Sequence, residues 1–236
     1  MLKNLNLRPL IWTAVLATAL LTFTGTLLHL NNAASQQTFQ RTNEPPYIRV
    51  LTNTYSTIPL VTVGEEMPQL SGKFGAYTAT TRPFALSGIP DGLGVYETED
   101  AYYVFLNHEI AAGFATYLAD EGEERIDGAR VSLLQFTKDW QLVGGKNLIE
   151  TAVFEGITYT LNTTTGNYVD NNGLILNNGA HNNLYRFCSG SLAAEGFVDA
   201  QGQPTPIWFA PEESGQTGRG WAVSADGTAV ALHGLG

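Results

Sequence analysis

An apolar strand that ends abruptly in metal-binding residue types is the feature that most constrains the fold of this chain. Residues 101–106 (AYYVFL) combine aromatic and branched side chains, which favour a buried strand. They continue directly into Asn107, His108 and Glu109. Because side chains alternate across a strand, Asn107 and Glu109 share one face if the extended geometry persists, and His108 points to the other. The pattern predicts a carboxylate presented at the rim of a sheet.

The same arrangement occurs a second time. Residues 207–210 (IWFA) are apolar and precede Pro211, Glu212 and Glu213. Calcium takes about six to eight oxygen ligands from several chain segments, so strands that deliver carboxylates to one rim suit a site for a hard cation. In the alternative interpretation, both segments are ordinary strand ends that turn into solvent, since strand ends are commonly polar.

Short hairpins recur along the chain. Residues 88–94 (GIPDGLG) predict a tight loop that introduces the hairpin of residues 101–106. Gly144 and Gly145 are expected to close a second hairpin, and Asp226 followed by Gly227 predicts a tight turn in a third. The strands of these two hairpins are residues 130–137 with 141–143, and residues 221–224 with 228–232. Residues 110–120 are the best candidate for a helix.

Recurring hairpins predict an all-β fold, either a sandwich, a barrel or a β-propeller. In a propeller, loops from several blades converge on one axis, which would bring distant acidic residues together. The strands counted from residue 47 to residue 232 amount to about two to three blades, whereas closure takes about four to eight. We therefore expect an incomplete propeller encoded by a truncated open reading frame.

The N-terminal segment has the composition of an export signal. Lys3 and Arg8 precede an apolar stretch at residues 10–30, and Ala33, Ala34 and Ser35 offer small residues to a peptidase. Residues 1–35 are thus predicted to be a signal peptide or, since the stretch reaches about twenty residues, a membrane anchor. This predicts an exported protein, which is periplasmic, extracellular or held at the cell surface. An N-terminal arm with the first strands (residues 36–87) and the propeller part (residues 88–236) follow.

The net charge and the single cysteine limit the kinds of molecule that this protein can bind. Removing residues 1–35 removes Lys3 and Arg8 and no acidic residue, so the net charge of -10 becomes -12. Nucleic acids and anionic lipids need basic patches, so nucleic acid is excluded and membrane contact is expected only through an uncleaved leader. Cys188 is the single cysteine and forms no intrachain disulfide. It is either a small buried residue or a soft ligand for a transition metal.

Five motifs in a consistent order carry a resemblance to a known family. They are residues 88–94 (GIPDGLG) with the strand that ends in Asn107, His108 and Glu109, residues 128–132 (GARVS), residues 185–192 (YRFCSGSL), the pair Glu212 and Glu213, and residues 218–223 (GRGWAV). Together they resemble the PhoX alkaline phosphatase family and its propeller relatives over residues 88–236. The resemblance implies an exported, calcium-dependent phosphatase of phosphate monoesters on a six-bladed propeller, with iron and calcium in the axial channel.

The resemblance also implies site residues. The glutamate pair that binds metal in the family falls on Glu212 and Glu213, and the Asn-His-Glu motif includes Glu109. Characterised members carry an iron-ligating cysteine directly before the glutamate pair, where this chain has Pro211. That departure argues against iron and leaves calcium as the expected cofactor, with Cys188 as the remaining thiol candidate.

Phosphoryl transfer needs positioning and charge neutralisation, and arginine matches phosphate oxygens with its planar fork. Arg186 and Arg219 are therefore the expected phosphate clamp, or alternatively surface ion pairs, and Asn107 joins them as a candidate catalytic residue. Asp91 is a further metal candidate that could instead only cap its turn. Two other functions stay open: a non-catalytic calcium-binding propeller for a ligand or protein, and a calcium-dependent esterase or lactonase.

Overall fold

The structure is a computed structural model that describes residues 42, 44–118 and 124–233. The predicted leader at residues 1–35 lies outside the described residues. A short 3-10 helix spans Gly215–Thr217. The strands are β1 (Glu66–Ser71), β2 (Thr78–Ala85), β3 (Pro90–Glu97), β4 (Ala101–His108), β5 (Ala115–Tyr117), β6 (Arg125–Asp127), β7 (Arg130–Thr137), β8 (Leu142–Asn147), β9 (Thr151–Phe154), β10 (Ile157–Asn162), β11 (Asn167–Val169), β12 (Ser191–Ala193), β13 (Ile207–Pro211), β14 (Gly220–Ser224) and β15 (Thr228–Leu232).

Three sheets contain these strands. The first sheet has the order β2-β1-β8-β7-β4-β3, the second has the order β11-β10-β9-β15-β14-β13-β12, and β5 pairs with β6 alone. All three sheets are open over the described residues. The predicted all-β class is thus confirmed, and the strands expected at residues 101–106, 130–137, 207–210, 221–224 and 228–232 are present.

The two larger sheets share one plan. Antiparallel neighbours build β3-β4-β7-β8 in the first sheet and β12-β13-β14-β15 in the second. Beyond β8 the first sheet continues through a parallel pairing with β1, and beyond β15 the second continues through a parallel pairing with β9. Each sheet is therefore a four-stranded antiparallel unit that is extended at one edge by strands from an earlier part of the chain.

The larger apolar cluster contains side chains from both sheets. Alternation along β4 directs Tyr103 and Phe105 into this cluster, where Phe105 stacks on Trp208 with ring centroids 6.0 Å apart. Phe105, Trp208 and Trp221 are fully buried. A second cluster, which includes Met67, uses the opposite face of the first sheet. Because both faces of β4 are covered, this strand reads as a continuous apolar run.

The tight loop predicted at residues 88–94 is wrong, because strand β3 begins at Pro90. The glycines there allow close approach between backbones instead of a turn. A Cβ on Gly92 would lie 2.5 Å from the nitrogen of Gly190, and one on Gly94 would lie 2.5 Å from the Trp208 ring. Glycine inside a strand often marks such an approach.

The prediction that the glycine pair closes the second hairpin is also wrong. Gly144 and Gly145 lie inside β8. A Cβ on Gly144 would lie 2.3 Å from the Pro68 carbonyl oxygen of β1. The pair therefore makes room for the parallel join between β8 and β1.

The predicted helix at residues 110–120 is wrong over its described part. Residues 112–113 form a turn, in which Gly113 has φ of 88°, and β5 begins at Ala115. The backbone nitrogen of Gly113 donates to Asp127 Oδ1 at 2.7 Å, so a contact with β6 replaces a helical hydrogen bond. Tertiary pairing overrides the local helical preference here.

Candidate functional site

Two glutamates and one arginine from three chain segments meet beyond the ends of β4 and β13. Glu109 follows β4, Glu213 lies beyond β13, and Arg186 lies between β11 and β12. The Arg186 Nε donates to Glu109 Oε1 at 3.0 Å, and its Nη2 donates to the same oxygen. The Nη2 atom also lies 2.7 Å from Glu213 Oε2. We call these three side chains the carboxylate–arginine cluster.

Backbone hydrogen bonds hold the three segments of the cluster together. The nitrogen of Glu109 donates to the carbonyl of Ile89 at 3.0 Å, and that of Arg186 donates to the carbonyl of Ile110 at 3.0 Å. The nitrogen of Glu213 donates to the Arg186 carbonyl at 2.9 Å. The charged side chains therefore converge on a fixed backbone frame.

The charged groups of the cluster shift one another's pKa values. Hydrogen bonds with Glu213 and with Arg186 lower the pKa of Glu109, and the Glu109 carboxylate raises the pKa of Arg186. Counted by residue type alone, two glutamates and one arginine carry a formal charge of minus one. The side chain of Glu213 is 53% exposed, so a cation can reach the carboxylates from solvent.

Two residues of this frame have unusual backbone angles. Ile89 has φ of 51° and Arg186 has φ of 39°. Positive φ is uncommon outside glycine and is an outlier for a β-branched residue such as isoleucine. Strain of this kind, which costs about 1–3 kcal/mol per residue, concentrates at functional sites. Of the five non-glycine residues with positive φ in the described part of the chain, two lie in this frame.

Glu212 binds the surrounding loops instead of the cluster. Its Oε1 accepts from the nitrogen of Tyr185 at 3.1 Å, and its Oε2 accepts from Asn178 Nδ2 at 2.9 Å and from the nitrogen of Arg219 at 3.1 Å. Burial raises the pKa of Glu212 to about 7, against the opposing effect of these donors. Both carboxylate oxygens are used in joining three loop segments.

Arg219 also has its guanidinium occupied. Its Nη1 donates to the carbonyls of Thr217 at 3.0 Å and Gly218 at 3.3 Å, next to the 3-10 helix. This contact resembles the capping of carbonyls that a basic side chain provides at a helix end. In the structure Arg219 therefore stabilises a local turn, whereas Arg186 lies in the cluster.

Asn107 lies between the two large sheets. It is fully buried, its Oδ1 accepts from Trp208 Nε1 at 2.7 Å, and its Nδ2 donates to the Ser189 carbonyl. The amide satisfies the single polar atom of the Trp208 ring. This predicted catalytic residue thus links β4 to the second sheet in the interior.

His108 points to the opposite face of β4, as the alternation predicts. Its Nδ1 lies 2.9 Å from the Gly88 carbonyl and its Nε2 lies 2.8 Å from Ser132 Oγ. Since a carbonyl oxygen only accepts, Nδ1 carries the proton and Nε2 accepts from the serine hydroxyl. Burial lowers the pKa of His108 to about 4, with the charge of Arg130 acting in the same direction.

We expect His108 to make the fold sensitive to acid. As the pH falls from 6.5 to about 4, the unfolded histidine binds a proton and the folded one does not. The unfolded state therefore gains stability over this interval, and the free energy of unfolding falls by about 3 kcal/mol from this group. Urea unfolding at the two ends of the interval, on the wild type and on His108→Gln, measures the effect.

The comparison between variants is needed because Glu212 acts in the opposite direction. Its raised pKa makes the free energy of unfolding fall as the pH rises from 4.5 to about 7. His108→Gln should lose the acid-dependent part, while His233→Gln, at an exposed position, should keep it. An unchanged pH dependence in His108→Gln would contradict the prediction.

The remaining metal candidates lie apart from the cluster. Asp91 is exposed on β3. Cys188 is half-buried, with its carbonyl accepting from the nitrogen of Gly92 at 3.1 Å and its Sγ 4.0 Å from Ser189 Oγ. Over residues 42, 44–118 and 124–233, the structure forms no group of three or more His, Cys, Asp or Glu side chains that could hold a metal. Of the five predicted ligands, Glu109 and Glu213 are brought together.

An apolar cleft lies beside the cluster, and the sequence motifs do not predict it. It has a volume of about 580 Å³, and its lining includes Ile89, Ile110 and Phe114 together with Glu109 and Arg186. A signal was present, because Ile89 and Phe114 are large apolar residues that each follow a glycine in a turn-rich segment. Turn segments are usually polar, so apolar residues there indicate a binding surface.

Searches against protein family models, curated proteins and solved structures find no match to this chain. Within the described residues, no helix has the length and apolar character needed to span a membrane.

Proposed function

We propose that this chain is an exported, metal-dependent phosphatase of the PhoX type that hydrolyses phosphate monoesters. The observation that carries the proposal is the carboxylate–arginine cluster, where Glu109 and Glu213 meet Arg186 at the rim of an apolar cleft. Carboxylates suit a hard cation, and a guanidinium suits the oxygens of a phosphate group. The cluster therefore combines the two functional groups that phosphoryl transfer needs.

The chemistry of the donor set fits calcium better than iron. Glu109 and Glu213 offer hard oxygen ligands on a side that is open to solvent. Cys188, the single thiol of the chain, lies outside the cluster. When bound, calcium would neutralise charge on the phosphate oxygens and polarise the phosphoryl group.

Arg186 has a defined role in this proposal. When no cation is bound, the Nη2 atom of Arg186 is shared between Glu109 and Glu213. Once the charge of the two carboxylates is neutralised, the guanidinium can turn to the phosphate oxygens, while the backbone hydrogen bond to Ile110 keeps the residue in place. Glu109 and Glu213 thus position the arginine as well as the cation.

We also propose that the two antiparallel units are blades of a propeller. Their first strands, β3 and β12, lie side by side, since the nitrogen of Gly92 donates to the Cys188 carbonyl and a Cβ on Gly94 would lie 3.0 Å from the Leu192 side chain. Such radial packing of four-stranded units is the arrangement of propeller blades. An experimental structure tests this arrangement, and two sheets stacked face to face at about 30° would replace it with a sandwich.

Calcium binding is the first test of the proposed site. We expect Glu109→Gln to weaken calcium binding at least about tenfold, because removing one of two carboxylates costs more than about 1.4 kcal/mol. Isothermal titration calorimetry measures the change. Glu99→Gln, at an exposed position in the turn between β3 and β4, is the matched control and should bind as the wild type does. Equal calcium affinity in Glu109→Gln and in the control would show that calcium does not bind at the cluster.

Turnover then separates the three candidate functions. We expect hydrolysis of 4-nitrophenyl phosphate that EDTA abolishes and added calcium restores. Calcium binding without any turnover would favour a non-catalytic binding protein, for which the net negative charge of the cluster is the supporting observation. Turnover of carboxylate esters alone would favour an esterase or lactonase.

A further inference from the structure

The apolar cleft has the size of a small-molecule site and one charged end. Its volume of about 580 Å³ lies within the range of about 300–1,000 Å³ that is typical of ligand pockets. Ile89, Ile110, Ala111 and Phe114 provide apolar walls, and the charged groups are those of the Glu109–Arg186 pair. A ligand that fills the cleft would therefore meet apolar surface along its body and charge at one end.

Backbone hydrogen bonds hold the main chain that carries the walls of the cleft. The carbonyls of Ile89 and Ile110 accept from the backbone of Glu109 and Arg186, so both walls are joined to the cluster. On the far side, the nitrogen of Phe114 donates to the Ala111 carbonyl at 3.3 Å. A preformed cleft loses little conformational entropy when it binds a ligand.

Arg130 supports the base of the cleft from inside the protein. It is fully buried, and its Nη2 donates to Thr116 Oγ1 in β5 and to the Ile126 carbonyl in β6 at 3.0 Å. Thr116 lines the cleft and is its one uncharged polar side chain among the described lining residues. Its hydroxyl accepts from Arg130 and keeps its own O–H as a donor, so it is the single uncharged side-chain partner that these lining residues offer to a hydroxylated ligand.

Two large apolar side chains of the cleft are exposed to water. Phe114 is 68% exposed and Ile89 is 59% exposed. Ile89 is held in this position despite its positive φ of 51°. Covering both side chains with an apolar group would remove this surface from water, which is favourable in proportion to the area buried.

We propose that the cleft binds the alcohol portion of the substrate, and that this portion is an aryl or alkyl group without hydroxyls. The inference rests on the proposed phosphatase function, because the Glu109–Arg186 end would receive the phosphate. We expect sugar and glycerol phosphates to be poor ligands, because their hydroxyls would be buried against Ile89, Ile110 and Phe114 without hydrogen-bond partners.

Ligand binding tests the cleft independently of turnover. We expect 2-naphthylphosphonate, in the presence of calcium, to bind at least about tenfold more tightly than methylphosphonate, because the naphthyl ring adds apolar contact that the methyl group lacks. Phe114→Ala should lose most of this difference in affinity. Because the Phe114 side chain is largely exposed, the substitution should leave the fold intact. Phe197→Ala, which removes an exposed phenylalanine outside the cleft, is the matched control and should bind as the wild type does.

The outcomes separate the cleft from the proposed reaction. Equal affinity for the two phosphonates, or an unchanged affinity in Phe114→Ala, would overturn the cleft assignment even if phosphate esters are hydrolysed. Tight binding that depends on Phe114, without hydrolysis of any phosphate monoester, would support the cleft as a ligand site and would overturn the proposed phosphatase function. With both proposals correct, Phe114→Ala reduces the ratio of kcat/KM for 2-naphthyl phosphate to that for glycerol 3-phosphate about tenfold.

Discussion

Asn107→Ala is expected to lower the free energy of unfolding by about 4 kcal/mol. The Asn107 amide is fully buried and pairs with Trp208 Nε1 and with the Ser189 carbonyl. Alanine leaves the indole N–H buried without a partner, which costs about 1–3 kcal/mol, and it also removes the second hydrogen bond and opens a cavity. Urea unfolding measures the loss.

The same substitution separates a structural role from a catalytic one. If Asn107 only joins the sheets, the Asn107→Ala protein should still bind calcium at Glu109 when it is kept folded at low temperature. Asn177→Ala is a suitable control, since Asn177 is an exposed asparagine in a loop. A fully stable Asn107→Ala protein that has lost activity would contradict the structural role. It would support the prediction that Asn107 is a catalytic residue.

Gly190→Ala is expected to cost nearly as much, about 3 kcal/mol, through steric conflict with Trp208. A Cβ on Gly190 would lie 2.1 Å from Cζ2 and 2.5 Å from Cη2 of that ring. The indole cannot move aside easily, because it is fully buried and held by Asn107. Overpacking of this kind forces either the side chain or the backbone to shift.

A matched glycine controls for backbone entropy. A Cβ on Gly88 would meet nothing closer than Val63 Cγ1 at 4.0 Å, so Gly88→Ala should leave stability nearly unchanged. Because Asn107 and Gly190 act on the same ring, their double variant should lose less stability than the two single losses together. Additive losses, or a harmless Gly190→Ala, would show that the ring is free to move.

Strand positions could be predicted where the signal was local. Aromatic and branched residues placed β4, β7 and β13, and the Asp226-Gly227 turn placed β14 and β15. The turns predicted at residues 88–94 and 144–145 are wrong, because glycine serves both turns and close backbone contacts. Only the neighbouring strand distinguishes the two uses, and that neighbour is distant in sequence.

The site could be predicted in part. Strand-end position indicated Glu109 and Glu213, and the structure brings both to Arg186. The sequence did not separate Glu213 from Glu212, because adjacent carboxylates look alike until the three hydrogen-bond donors to Glu212 are known. The burial of Asn107 against Trp208 likewise depends on the packing of two sheets, which residue types alone do not specify.

The parallel join between β15 and β9 has a consequence for biosynthesis. Thr151 in β9 pairs with Thr228 in β15, so the hairpin β9–β10 emerges from the ribosome long before its partner strand exists. Until then one of its edges offers unpaired backbone groups to other chains, which is a known route to aggregation. Pairings between distant positions also slow folding. A nascent form of this protein should therefore depend on chaperones until the segment that contains β15 has been translated.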